Sequence, residues 1–301
     1  MESRIVETAG GRTKIRVHEG GQGPALLFLH GAGGLFPNDP FLAALATRFR
    51  VAAPVLPGYE DSAGAESLRT MLDVALWGLD VIEALNVERP ILVGHSMGGM
   101  IAAEMAALCP REIGRLVLVA PAGLWLDAHP IPDLFAALPF ELPQLLFHDV
   151  ALGVKLLTGG LPQGDRLGSR PTRSEPQASE GHVFDEMKNA VDAGGAFSLA
   201  ALLARFEDTG FLQRFLIDNA RRLGMAGKLL FPIPERGLAE RLYRVRGATT
   251  IVWGERDRLL VPAYADAWQC ALPVARLVRV PEAGHMVPYE KPGAVLDAIA
   301  S

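Results

Sequence analysis

Short, nearly continuous apolar runs alternate with longer stretches of helical period along most of this chain. The runs are Ala25–Leu29, Val51–Pro54, Ile91–Gly94, Leu116–Ala120, Thr249–Trp253 and Arg276–Val280. Each has the length of a strand and little apolar–polar alternation, the pattern of strands covered on both faces. Helical candidates near 66–86, 97–108, 263–271 and 291–300 separate or follow them. Strands interleaved with helices read as βαβ units around a mostly parallel sheet, an α/β fold. Ahead of this rhythm, residues 4–8 and 12–18 flank Ala9-Gly10-Gly11 and predict an antiparallel hairpin.

The alternation breaks over residues 121–246. Leu, Phe, Ala and Pro dominate there, and helical periodicity runs through Phe135–Leu156 and Gly195–Leu223 without strand-like spacing. The expected organisation is a core of residues 1–120 and 247–301 interrupted by a helical cap at 121–246. Within the cap, residues 163–182 are rich in Gly, Pro, Ser and charge, which predicts a flexible loop.

Composition narrows the function. Half of the 301 residues are hydrophobic and the mean hydropathy is +0.21, enough apolar material for a large core. A net charge of −5 and a pI near 5.8 argue against nucleic-acid binding, which needs a basic stripe. The first 21 residues are polar and alternating, unlike a signal peptide, and no apolar stretch is long enough to span a bilayer. Cys109 and Cys270 are the only cysteines and are expected to be buried, unpaired thiols of a cytoplasmic protein. The sequence leaves the oligomeric state open, a homodimer included.

The chemistry is concentrated in a few motifs. Gly94-His95-Ser96-Met97-Gly98 matches G-x-S-x-G, directly after the run PILV and before the helical stretch MGGMIAAEMAAL. Strand, sharp turn and helix are what a nucleophile elbow requires, so Ser96 is the expected nucleophile. His30-Gly31-Ala32-Gly33-Gly34 follows the run ALLFL. An oxyanion needs two N–H donors; the expected pair is Met97 and Ala32, with Gly33 as the alternative to Ala32. Of seven histidines, His285 lies between the last strand and last helix, in PEAGHMVPYEKP, and is the expected base. Asp257 follows the run TTIVWG at a strand's carboxyl end and is the expected orienting acid, with Glu255 and Asp127 as rivals. No metal or cofactor motif occurs, so none is expected, and the partner is a small-molecule substrate.

HGAGG, GHSMGG, WGERDRLLVP and AGHMVPYEKP together resemble the capped α/β-hydrolase superfamily over roughly residues 20–125 and 230–300. The resemblance implies an eight-stranded sheet with an inserted helical cap, and a serine esterase, lactonase, perhydrolase or carbon–carbon bond hydrolase. In APVLPGYEDS, Val55 and Glu60 replace the family's usual Asp and Gly. Hydrolases of aromatic meta-cleavage products are similar through S-M-G-G. They usually carry a proline in the HG loop and a tryptophan after the histidine, where this chain has HGAGGL and Met286. The expected activity is therefore ester or related acyl hydrolysis on a small, mainly apolar substrate. Meta-cleavage-type carbon–carbon hydrolysis, or a silent ligand-binding member, is the alternative. Cap aromatics such as Trp125, Phe135, Phe140 and Phe147 suggest an apolar acyl or ring-bearing substrate, with simple core packing as the commoner alternative.

Overall fold

A computed structural model of the chain describes residues 1–138, 140–159, 209–272 and 274–301. Eight strands form one sheet: β1 (Glu2–Thr8), β2 (Thr13–Gly20), β3 (Ala25–Leu29), β4 (Arg50–Pro54), β5 (Ile91–His95), β6 (Arg115–Val119), β7 (Ala248–Gly254) and β8 (Arg276–Val280). They lie in the order β1-β2-β4-β3-β5-β6-β7-β8. Strand β2 is antiparallel to β1 and β4, and every pairing from β4 to β8 is parallel. The hairpin turn at Ala9–Gly11 puts Gly10 and Gly11 at φ 65° and 85°, backbone that glycine adopts without steric cost.

The near-continuous apolar runs have a simple origin. Along β3, Leu27 and Leu29 enter one core while Leu26 and Phe28 enter the other. Strand β5 splits Leu92 from Val93 in the same way, and β6 splits Leu116 and Leu118 from Val117 and Val119. Side chains alternate across a sheet, so a strand buried on both faces must be apolar at every position.

Helices cover both faces. They are α1 (Pro40–Leu45), α2 (Met71–Ala84), α3 (Met97–Leu108), α4 (Leu142–Leu146), α5 (Val150–Gly159), α6 (Thr209–Leu230), α7 (Ala263–Ala271), α8 (Val287–Glu290) and α9 (Pro292–Ala300). Helix α2 starts five residues later than the periodicity of 66–86 predicts. A capping box at Thr70 and Asp73 sets its first turn, with Asp73 N–H on Thr70 Oγ1 at 3.2 Å and Thr70 N–H on Asp73 Oδ2 at 2.8 Å. Helix α1 was not predicted; at six residues it is too short to show a period, and it depends on Asp39 capping Phe41 and Leu42.

Between β6 and β7 the described residues form no strand and carry α4, α5 and α6. The helical periodicity over Phe135–Leu156 resolves, among the described residues, into turns, α4 and α5. Asp133 caps a turn at Phe135, and Asp149 accepts from Leu152 N–H at 3.0 Å, so these aspartates start new elements. Helix α6 runs seven residues past the predicted end at Leu223. The expected loop at 163–182 and the predicted helical stretch at 195–208 lie outside the described residues. The cysteine expectation needs correction: Cys109 is half-buried and Cys270 exposed, both free. Cys270 lies on the outer face of α7, whose inner face spends Tyr264, Ala265 and Trp268 on the core. Among the described residues no helix is long and apolar enough to cross a membrane.

Candidate active site

The serine sits where a buried strand turns abruptly into a buried helix. Ser96 has φ 54° and ψ −117°, a conformation strained for any residue with a Cβ. The surroundings hold it there: Ser96 N–H donates to Val119 O at 2.9 Å, and Ser96 O accepts from Ala122 N–H at 3.0 Å. Two glycines make the turn possible. A Cβ on Gly94 would stand 2.3 Å from Gly98 O, and one on Gly98 would stand 2.1 Å from Leu29 O. Met97 is the first residue of α3, so its N–H has no acceptor within the helix, and the positive end of the helix dipole faces the hydroxyl.

Asp257 and His285 reach the same point from β7 and β8. Their loops are knit together, with Arg256 N–H on Ala283 O at 2.8 Å. Gly254 is needed there, because a Cβ would lie 2.2 Å from Gly284 O. His285 Nε2 is 2.9 Å from Ser96 Oγ, and His285 Nδ1 is 2.8 Å from Asp257 Oδ2. All three side chains are buried. The other Asp257 oxygen accepts from Leu259 N–H at 2.9 Å and Leu260 N–H at 2.8 Å, which fixes the carboxylate's orientation. A carboxylate only accepts, so Nδ1 carries the proton and Nε2 presents its lone pair to the serine. The rivals are elsewhere: Glu255 is exposed, and Asp127 accepts from Trp125 Nε1 at 3.0 Å on the surface.

The other nearby histidines are committed to backbone. His95 Nε2–H donates to His285 O at 3.0 Å, and burial, reinforced by His285, pushes its pKa down to about 3. Leu56 N–H donates to His30 Nε2 at 3.1 Å, which puts the His30 proton on Nδ1, 2.8 Å from Gly31 O. Burial pushes the His30 pKa down to about 4. Gly31 O also accepts from Gly34 N–H at 3.1 Å. In a trans peptide the Ala32 N–H points away from an oxygen so held. The loop lies against the serine: a Cβ on Gly31 would be 3.3 Å from Ser96 Cβ. Ala32 is buried and its carbonyl accepts from Tyr59 Oη at 3.0 Å; Gly33 is exposed and its carbonyl accepts from Arg222 at 3.0 Å. The sequence reading did not find Tyr59, although it stands in the departing segment PGYEDS.

A cavity of about 100 Å³ opens at Ser96. Trp125, Phe135, Leu230, Phe231, Leu259 and Leu260 are among its walls, and Asp133 is its one charged side chain among the described residues. Trp125 and Phe135 face it as expected. Phe140 is not among its lining residues, and Phe147 is buried against Gly153 and Gly284 instead. Phe231 was missed, because nothing local marks a single aromatic just past the end of α6. Among the described residues no cluster of metal-ligating side chains occurs.

A family model for the alpha/beta hydrolase fold matches residues 24–292. A 2-hydroxy-6-oxo-6-phenylhexa-2,4-dienoate hydrolase of Burkholderia cepacia is 26% identical, over 92% of this chain and 86% of its own. Among solved structures, a membrane phospholipase A described as a bacterial virulence factor superposes with a TM-score of 0.68 at 23% identity, covering 100% of this chain and 87% of that one. A carboxylesterase from Bacillus subtilis gives 0.61 at 20% identity, covering 100% and 91%. These structural likenesses speak to the fold alone.

Proposed function

Because the chain belongs to the alpha/beta hydrolase fold family, we propose that it is a serine hydrolase that cleaves an ester or similar acyl bond of a small, mainly apolar substrate. The observation that carries this reading is the unbroken chain of contacts from Ser96 Oγ through His285 to Asp257. In this mechanism Ser96 Oγ attacks the acyl carbon while His285 Nε2 takes the hydroxyl proton. The Ala32 and Met97 N–H groups bind the oxyanion of the tetrahedral intermediate. The intermediate collapses, His285 gives the proton to the departing alkoxide, and an ester to Ser96 remains. Water, deprotonated by the same imidazole, releases the acid. Asp257 holds the tautomer that makes both transfers possible. Residues 121–246 act as a cap, whose apolar walls set the preference for apolar acyl groups.

A second reading is carbon–carbon bond hydrolysis, favoured by the name of the Burkholderia cepacia relative. Substrates so named carry a carboxylate, and the one described charge in the Ser96 cavity is another carboxylate, Asp133, which would repel it. That favours the ester.

The test is a fluorophosphonate, which should label Ser96 and no other serine, together with turnover of a p-nitrophenyl ester. Ser96→Ala should fold normally and lose activity by a factor of about 10⁶. Activity within tenfold of wild type in Ser96→Ala would refute the mechanism.

A further inference from the structure

Both neighbours of His285 are held by the segment between β6 and β7. Gly284 packs against Leu146–His148 so closely that a Cβ would lie 2.7 Å from His148 N and 2.8 Å from Leu146 O. Met286 N–H donates to Leu146 O at 3.1 Å. Glu290, at the end of α8, closes the arrangement with one carboxylate. Its Oε2 accepts from Gly284 N–H at 2.7 Å and its Oε1 accepts from Asp149 N–H at 2.8 Å. Asp149 in turn accepts from Leu152 N–H in the first turn of α5. The acid's loop meets the same segment, since Arg258 donates to Gln144 O at 2.6 Å and Phe147 O at 3.2 Å.

We propose that Glu290 is a positioning residue for His285: it bridges Gly284 to the start of α5 and so keeps the imidazole in register with Ser96. This rests on the triad reading above. The residue type matters. Both carboxylate oxygens only accept, and each faces an N–H; such charge-assisted bonds are short and strong. A glutamine would have to present its NH₂ to one of the two donors and lose that bond. The consequence falls on the placement of the base and not on substrate binding, because Glu290 is not among the residues lining the cavity at Ser96. Misplacing a reacting group by ~1 Å can cost about a hundredfold in rate.

The experiment measures kcat and KM of Glu290→Gln and Glu290→Asp in the full chain on p-nitrophenyl butyrate, with thermal midpoints alongside. Glu290→Gln should lower kcat about tenfold or more while KM stays within twofold. Glu290→Asp keeps acceptor chemistry but is one methylene short, and should fall between Gln and wild type. Glu282→Gln is the control, a surface carboxylate of the same loop 3.6 Å from Lys291, and should change nothing. A kcat for Glu290→Gln within twofold of wild type overturns the proposal, as does a loss borne by KM alone. If Glu290→Gln fails to fold, Glu290→Asp decides: an intermediate kcat supports the bridge and a wild-type kcat overturns it. Should Ser96→Ala stay active, the triad reading fails; should Ser96→Ala be dead while Glu290→Gln keeps its kcat, only the bridge fails.

Discussion

The two ends of the sheet are built from the same strands yet differ in what they can do. At the carboxyl ends of β3, β5, β7 and β8 stand the His30 loop, Ser96, Asp257 and His285, around a cavity of about 100 Å³. At the amino ends of β3 and β4 a larger cavity of about 370 Å³ is lined by Ala25, Arg50, Val51, Ile82, Leu85 and Pro90, among others. The proposed chemistry sits at the smaller hollow, and backbone polarity supplies a reason for that placement. A helix that follows a strand begins at the carboxyl end with unbonded N–H groups, as α3 does at Met97. The helix that precedes a strand turns the negative end of its dipole toward the amino end, as α2 does beside Leu85. Negative charge that develops on a reacting oxygen is stabilised at the first end and opposed at the second.

After Ser96 itself, the largest loss is expected at Asp257. Asp257→Asn should leave a folded protein with kcat lower by about 10⁴, because an amide can no longer enforce the proton on His285 Nδ1. Asp127→Asn, whose carboxylate bonds Trp125 on the surface, should cost less than about tenfold. A reversal of the two results would move the acid to the end of β6.

Two buried histidines at the carboxyl ends of the strands make stability depend on pH. His30 and His95 are buried and neutral, with pKa values pushed down to about 4 and about 3. An unfolded imidazole titrates near 6.5, so below that pH the unfolded chain binds protons that the folded chain refuses. Stability is therefore complete above about pH 6.5 and is lost as pH falls toward 4, by up to about 1.4 kcal/mol per pH unit for each ring. Denaturant unfolding at pH 7, 6 and 5 should show this decline. His95→Gln should flatten the slope, whatever it does to stability at pH 7; an unchanged slope would show that His95 is charged in the fold.

How far the sequence reached follows the same divide. The elbow was legible because Gly94, Ser96 and Gly98 fall within five residues between an apolar run and a helical stretch. The central strands were legible because double-sided burial makes them nearly all apolar, and β3 has the bounds its run predicts. The edge strand β8 also keeps its predicted bounds, although Arg276 and Arg279 are exposed. Asp257 and His285 could be singled out because each stands in the loop after a strand, and the fold brings both to Ser96. The pocket wall was not. Phe231 reaches the site from the far end of α6, and the Phe147 ring is buried against Gly153. Phe231 meets Phe135 and lines the cavity at Ser96 from more than 80 residues away, and Phe147 meets Gly153 only once the turn between α4 and α5 has formed; no periodicity records either. Glu290 was in plain view inside AGHMVPYEKP, yet its partners at Gly284 and Asp149 exist only once the chain has folded.

A smaller effect should sharpen the picture of the cavity at Ser96. Phe231 is half-exposed at its wall and meets Phe135 edge to face, with ring centroids 6.2 Å apart. Phe231→Ala removes apolar contact surface of the order of 1–2 kcal/mol for a substrate that uses it. KM for a p-nitrophenyl hexanoate should rise by about five- to thirtyfold, while kcat and the acetate ester change little. Equal changes for both esters would mean that Phe231 does not touch the acyl chain.

The smallest expected effect lies at the other end. Arg50 is the one Lys or Arg side chain among the described residues lining the amino-end cavity, where Glu19 is already paired with Arg4. If that hollow held substrate, an anionic or carbonyl-bearing ligand would use Arg50, and its loss would cost roughly tenfold or more. If the end of a helix, and not the size of a hollow, selects the site, Arg50→Ala should leave kcat/KM within twofold. The side chain is exposed at the first residue of β4, so its removal costs the fold little. Measured beside Asp257→Asn on the same ester, the two variants bracket the sheet from end to end. A tenfold loss in Arg50→Ala at unchanged thermal midpoint would make the amino end part of the functional surface, and backbone polarity alone would no longer account for where this enzyme works.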